Sequence, residues 1–531
     1  MPDIKQSLVS YDKGGPFGDS DASRVDFHKL RTSFINLSNE SQTDIDEAID
    51  TSVRVIVGRK GSGKTLYLRS LQDHYRRLNF DSEGTVYITD IDNEPPDTNL
   101  IVKITTWFEK NESEADEIWR RIWKVIILRA TYSHLFYSQD LSKYTTQKQK
   151  AVFIERYKQI LPNSKVATSI FSQLTFFLAD FNNEVQLKNF LYKEEWGAFE
   201  SELNVLIKQS PPIYFFLDQL DDDFIHAPYQ WLKCQYGLFA CIFRFIRNNT
   251  FGGRLHIVAC LREIVYAYIL HTQDGTKYIS ESKIKVLRWD TQLAKHFLDK
   301  KIQLLDDKYF KNPSLPKTVE SFFGLEHVNL KRNNGFIEKP GSYILRHTML
   351  MPRDIINVGN IFCEKRQLNR TLDDEMLLKE AVKYVARQIA KEQTVIASIL
   401  IINKWIYNGV IEDENFDFFI NETMIQTVNT ELCKLIKKVG KDRFTNKLLK
   451  NVESKLNAFK MDASDKPFNA LFLAGLLGYI DKDSDKGSRE VFFSESRSTL
   501  FNLPELKKDY VFHSSLIDYL EIKPIGKPVY A

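Results

Sequence analysis

Long apolar runs are missing from this sequence. No stretch approaches the length needed to cross a bilayer, and the first residues, MPDIKQSLVSYDKGG, lack the apolar core of a signal peptide. Cysteine is scarce. The five present (Cys234, Cys241, Cys260, Cys363 and Cys433) are dispersed, mostly among apolar neighbours, and form no C-x-x-C pair. That argues against a disulfide framework and a cysteine zinc site, and for a reducing, cytoplasmic setting. A surplus of one charge is absent too: the formal net charge is +3 over 531 residues, so any nucleic-acid contact would need a local basic patch. His226, His256, His271, His296, His347 and His513 show neither the i, i+4 spacing of a metal pair nor a nucleophile arrangement. There is no internal repeat and no low-complexity tract.

The composition that remains, 43% hydrophobic and 27% charged, is that of a globular chain long enough for two or three domains. Its organising stretch is Thr51 to Leu71, TSVRVIVGRKGSGKTLYLRSL. Val53 to Val57 read as a buried strand broken at Gly58, GRKGSGKT fits G-x-x-x-x-G-K-[ST], and Leu66, Leu68 and Leu71 begin a helix. Gly58, Gly61 and Gly63 permit the bend that turns successive N–H groups inward, and Arg59, Lys60 and Ser62 fill the rest of the loop. Lys64 brings a charge for the β/γ oxygens of a nucleotide, Thr65 a hydroxyl for Mg²⁺, and the helix its positive end. ATP with Mg²⁺ is the expected ligand. No guanine-reading N-K-x-D stands out, yet the sequence leaves GTP open.

Thr85 to Ile91 reads as a second strand, and about 105 to 209 as a helical insertion whose Trp119, Trp123, Phe190 and Trp196 belong to a core. After Pro211 and Pro212 comes IYFFLDQLDDD, a Walker B pattern hhhhD-x-h-D. Asp218 at the strand end would hold Mg²⁺, and Asp221 would orient or deprotonate the attacking water. A helix stopped by Asn248, Asn249, Gly252 and Gly253 leads to the strand LHIVACLRE. Arg262 at its end is the candidate γ-phosphate sensor; an ion pair with Glu263 is the alternative. Arg244, Arg247 and Arg254 are candidates for a finger reaching a neighbouring subunit.

Together GRKGSGKT, FFLDQLDD and ACLRE resemble the AAA+/STAND branch of P-loop ATPases, in particular its initiator-like group, which includes origin-recognition ATPases and bacterial anti-phage defence ATPases. LRWDTQLAKHFLDKKIQLL at 287–305 is similar to that group's helical lid and MLMPRDIINVGN at 349–360 to its sensor-2 region. The resemblance implies an α/β P-loop core, with Arg353 entering the nucleotide pocket; a helix-capping partner for Asp354 is the alternative. It also implies a homo-oligomer, a separately encoded effector, or both. An ABC-type ATPase is discounted, because no LSGGQ-like stretch is present.

The expected division is an arm and helix at 1–52 lying against the nucleotide domain, a core at 53–286, a lid at 287–365 and a helical C-terminal domain at 366–531. In the last, an apolar helix FNALFLAGLLGYI and a hairpin ending in REVFFSE follow the basic stretch Lys434 to Lys460, in an order similar to a winged helix. DNA contact through that stretch and the DKDSDKGSR turn is the alternative function, of initiator or transposition type. The apolar residues Phe468, Leu471, Phe472, Leu476 and Leu477 favour packing against protein instead. No membrane partner is expected.

Overall fold

A computed structural model describes residues 15–20, 49–81, 86–108, 111–161, 169–220, 227–271, 275–330, 336–368, 373–407, 422–453, 467–483, 487–493, 503–504 and 509–525. The expected helix at 25–37, Asp221, His226 and residues 454–460 of the basic stretch lie outside these. The fold is α/β, built on a five-stranded parallel sheet.

Its strands are β1 (Val55–Gly58), β2 (Tyr87–Asp92), β3 (Ile213–Leu217), β4 (Leu255–Arg262) and β5 (Ile284–Val286), in the order β2-β3-β4-β1-β5. Sheets of this kind are covered on both faces, so their strands read as apolar runs, not as alternations. Ile56, Phe216, Val258 and Cys260 face the helix Lys64–Asp81, with Leu68, Leu71 and Tyr75 in the same core. Val55, Val57, Phe215, Leu217, Ala259 and Leu261 join the opposite core. There they meet helix Glu112–Tyr137 of the insertion and helix Pro228–Asn248, whose Trp119, Trp123 and Trp231 are fully buried. Pro228 at the first turn and Asn249 in left-handed backbone (φ 45°) bound the second helix, so its stop falls where the sequence placed it. Parallel strands bring all five carboxyl ends to one edge, and ligands of open α/β sheets bind outside that edge.

A single apolar core spans the rest, from Phe17 through the lid helices Thr291–Gln303 and Pro352–Leu368 to Leu520 and Ile522. Phe17 docks on helix Pro352–Leu368 and not on the parallel sheet: its N–H donates to Asn360 Oδ1 (2.8 Å), and its ring stands where a Cβ on Gly359 would lie. Asp374–Tyr407 is one 34-residue helix. After it, β8 (Arg443–Thr445), β9 (Leu477–Asp483), β10 (Gly487–Phe492) and β11 (Asp509–Phe512) form an antiparallel sheet in the order β10-β9-β11-β8; the labels β6 and β7 belong to the short pair Val328–Asn329 and Ile337–Glu338.

The helix expected over 468–480 stops at Leu473. Gly475 turns left-handed (φ 77°), and the apolar residues from Leu477 onward pair as β9. Phe468, Leu471, Phe472, Leu476 and Leu477 are all buried in this chain's own core, so their apolarity does not argue for a protein partner. The described cysteines form no disulfide, and no described helix is long and apolar enough to cross a membrane.

Candidate functional site

Gly58 ends β1 and Lys64 begins the following helix, so the intervening loop sits at the carboxyl edge. Gly61 and Gly63 hold φ of 86° and 96°, which only glycine adopts readily. A Cβ on Gly58 would stand 2.3 Å from Ser62 Oγ, so the loop closes tightly on itself. Lys64 folds into it, Nζ donating to the carbonyls of Gly58 (3.1 Å) and Arg59 (3.2 Å). Ser62 Oγ is buried with no hydrogen-bond partner among the described residues, and Thr65 and Leu66 are half-buried on the first helical turn. An orphaned hydroxyl, an ammonium turned inward and glycines that let N–H groups converge suit a phosphate chain.

Two further strand ends bear on the loop. β4 lies between β1 and β3, so Asp218 belongs to the second strand from the loop and not to the adjacent one. It is buried, its N–H donates to the Asp92 carbonyl (2.9 Å), and its carboxylate takes no hydrogen bond or ion pair among the described residues. The chain then turns at Gln219, a non-glycine residue at φ 56°, and Gln235 Nε2 holds the Leu220 carbonyl at 3.2 Å. Left-handed backbone at such a residue costs about 1 kcal/mol and persists where surrounding contacts fix it. Arg262 pairs in register with Gly58, which puts the candidate sensor beside the first residue of the loop. Glu263, offered above as its partner, forms an ion pair with Arg59 (2.9 Å).

The lid meets the same loop. Trp289 Nε1 donates to the Ser62 carbonyl at 2.9 Å. Leu350, left-handed at φ 59°, precedes helix Pro352–Leu368 and directs Arg353 onto Gly61, where a Cβ would lie 3.0 Å from that of Arg353. Arg353 also stands 3.7 Å from Asp354, so its contact with the loop and its pairing with Asp354 coexist. Burial pushes the Asp354 carboxyl up to about 6, against the opposing pull of Arg353 and the Met349 N–H.

The C-terminal half closes the site. Arg59 donates to the Leu473 carbonyl (3.2 Å) and lies over the Phe493 ring (5.5 Å). Glu392, on helix Asp374–Tyr407, reaches Arg353 (3.4 Å) and Lys60 (3.8 Å). Arg59, Lys60, Arg262, Arg353 and Glu392 thus line one cavity of about 90 Å³. Nearby, His513 Nδ1 accepts from the Ser515 N–H (3.2 Å), which leaves Nε2–H to donate to the lid carbonyl of Thr348 (3.2 Å); burial holds the ring neutral, down to about 4.

Sequence reasoning missed Trp289 and Glu392. The tryptophan stood inside the lid stretch LRWD, but nothing local marked the glutamate. Arg244, Arg247 and Arg254 lie where helix Pro228–Asn248 ends and β4 begins, at the edge opposite the loop. Arg247 bonds Tyr278 (3.3 Å) and Arg254 the Ser210 carbonyl (2.7 Å), while Arg244 is exposed. Among the described residues no cluster of three or more His, Cys, Asp or Glu side chains could hold a metal. A Mg²⁺ bound with a nucleotide needs fewer protein ligands than that, since substrate phosphates and water supply the others. No family model matches the chain, and no curated protein matches it.

Proposed function

We propose that this protein is an ATP-binding and ATP-hydrolysing switch of the AAA+/STAND type. Its nucleotide state would control oligomerisation or a partner effector, and the resemblance places such switches in bacterial anti-phage defence. The observation that carries the reading is a convergence at one sheet edge: the glycine loop with its inward lysine, Asp218 at the end of β3, Arg262 in register with Gly58, and Arg353 of the lid resting on Gly61.

The loop N–H groups and Lys64 bind and orient the phosphates; Arg262 and Arg353 meet the charge that develops as the terminal phosphoryl leaves. Thr65 and Asp218 are the residues that would hold Mg²⁺, which when bound neutralises β- and γ-oxygens. Asp221 is assigned to the attacking water by its place in the motif. Because Arg353 and Trp289 belong to the lid, and Arg59 and Lys60 are tied to the C-terminal half, a change in the phosphates has a direct path to both.

The test is steady-state ATP hydrolysis by the full chain. Lys64→Ala and Asp218→Asn should each abolish turnover, while Lys64→Ala alone should also remove binding of radiolabelled ATP. A chain that turns over ATP equally well with either substitution is not this kind of enzyme.

A further inference from the structure

We infer that Glu392 is a built-in competitor for the γ-phosphate: it occupies Arg353 and Lys60 until a triphosphate displaces it, and thereby sets how strongly the site prefers ATP to ADP. This rests on the nucleotide reading above and deepens it.

Glu392 sits across the cavity from the loop, on a helix that belongs to neither the sheet nor the lid. Its two oxygens point at two cations of the proposed site, Oε2 to Arg353 and Oε1 to Lys60. Neither contact has the 2.7–2.9 Å length of a charge-assisted hydrogen bond between ions. At 3.4 and 3.8 Å they are loose, and Oε1 is buried with no hydrogen bond among the described residues. A carboxylate held by two loose, partly hydrated contacts gains little from either, so a more highly charged anion exchanges with it readily. A γ-phosphate is that anion: it carries more charge, more acceptor oxygens, and arrives with Mg²⁺.

ADP lacks the competing group. Arg353 and Lys60 then stay with Glu392, and the helix Asp374–Tyr407 stays tied to the loop. Glu392 is a positioning residue in this account, acting through Arg353 and Lys60 and never on the phosphoryl group itself. A side chain that only supported the fold would move ATP and ADP affinities together.

The experiment measures ATP and ADP dissociation constants by calorimetry, with Mg²⁺, on the full chain and its Glu392→Gln, Glu392→Ala and Glu392→Asp variants. Glu392→Gln keeps shape and removes charge, so it should tighten ATP about fivefold or more and leave ADP within about twofold. Glu392→Ala should agree with it, and Glu392→Asp should fall between. In a Lys60→Ala/Arg353→Ala background the gain from Glu392→Gln should vanish. Unchanged or weaker ATP binding in Glu392→Gln, equal tightening of ATP and ADP, or a gain that persists without Lys60 and Arg353 would each overturn the inference. Lys64→Ala separates the two levels: ATP binding that survives it removes the nucleotide reading, whereas its loss together with an unresponsive Glu392 removes only the competitor.

Discussion

Along the carboxyl edge of the parallel sheet, every residue of β1, β3 and β4 except His256 is buried, and backbone register alone sets Arg262 against Gly58. The surface that closes over that edge is built differently: Lys60, Arg353, Asp354 and Glu392 meet there at 3.4 to 3.8 Å across more than 300 residues of intervening chain, and Arg59 pairs with Glu263 at 2.9 Å. Burial makes the first half costly to distort, since each displaced core side chain loses its transfer energy and leaves a cavity. Partly hydrated ion pairs are worth little each, so the second half can rearrange at modest cost. One side of the site is therefore suited to hold a ligand and the other to respond to it.

The contrast breaks if substitutions on the two sides behave alike. On the proposed function, Lys64→Ala should lower ATP turnover by roughly a hundredfold or more while leaving the unfolding midpoint close to that of the parent, because its ammonium is assigned to the phosphates and bonds the loop carbonyls of Gly58 and Arg59. Phe216→Ala should do the reverse in kind. The ring is fully buried in the middle of β3, and its loss should cost about 3–5 kcal/mol of stability in denaturant unfolding, with activity lost only as the fold is. A mild effect at Phe216 would mean that the sheet edge is no stiffer than the seam.

The stiff half was legible in the sequence because its signals are local. A strand read over Val53–Val57 and found at Val55–Gly58, a glycine loop and the start of a helix stand within Thr51–Leu71, and the Asp218 strand is equally compact. What periodicity could not give was the strand order, so β4 intervenes between Asp218 and the loop. The seam was illegible for the opposite reason. Arg59 and the Leu473 carbonyl are 414 residues apart, and Glu392 lies in a helix whose charges look like any solvated face. The FNALFLAGLLGYI stretch misled because one left-handed glycine, Gly475, converts a helical pattern into a strand, and the same glycine leaves room for Arg59, whose Nη1 would stand 2.5 Å from a Cβ there.

Acid sharpens the comparison. The Asp354 carboxyl, raised by burial from its ordinary 3.8 to about 6, holds its proton in the folded chain over a range where the unfolded chain has released it. Folding stability at this group is therefore greatest below about 4, falls as pH rises through that window, and is lowest above 6. His513, depressed to about 4, acts in the opposite direction and loses stability as pH falls from about 6.5. Comparing the parent with Asp354→Asn cancels the histidine and every other common group. The parent should gain on the variant by about 1–2 kcal/mol between pH 7 and pH 5 in urea unfolding; a constant difference would mean that Asp354 titrates normally.

The smallest expected effect is the most specific to the seam. Arg59 uses one guanidinium for three contacts: Nε to Glu263, Nη2 to the Leu473 carbonyl, and its face to Phe493. Arg59→Ala should cost about 1 kcal/mol or less, since each contact is partly hydrated, yet it should raise the rate of limited proteolysis in the C-terminal half. Arg59→Lys should behave like alanine and not like arginine. An ammonium is a point charge with no planar fork, so it can keep Glu263 or reach Leu473, but cannot span both while stacking on the ring. If lysine restored the parent's protease resistance, charge alone would tie the loop to the C-terminal half, and the seam would be an electrostatic contact with no dependence on shape.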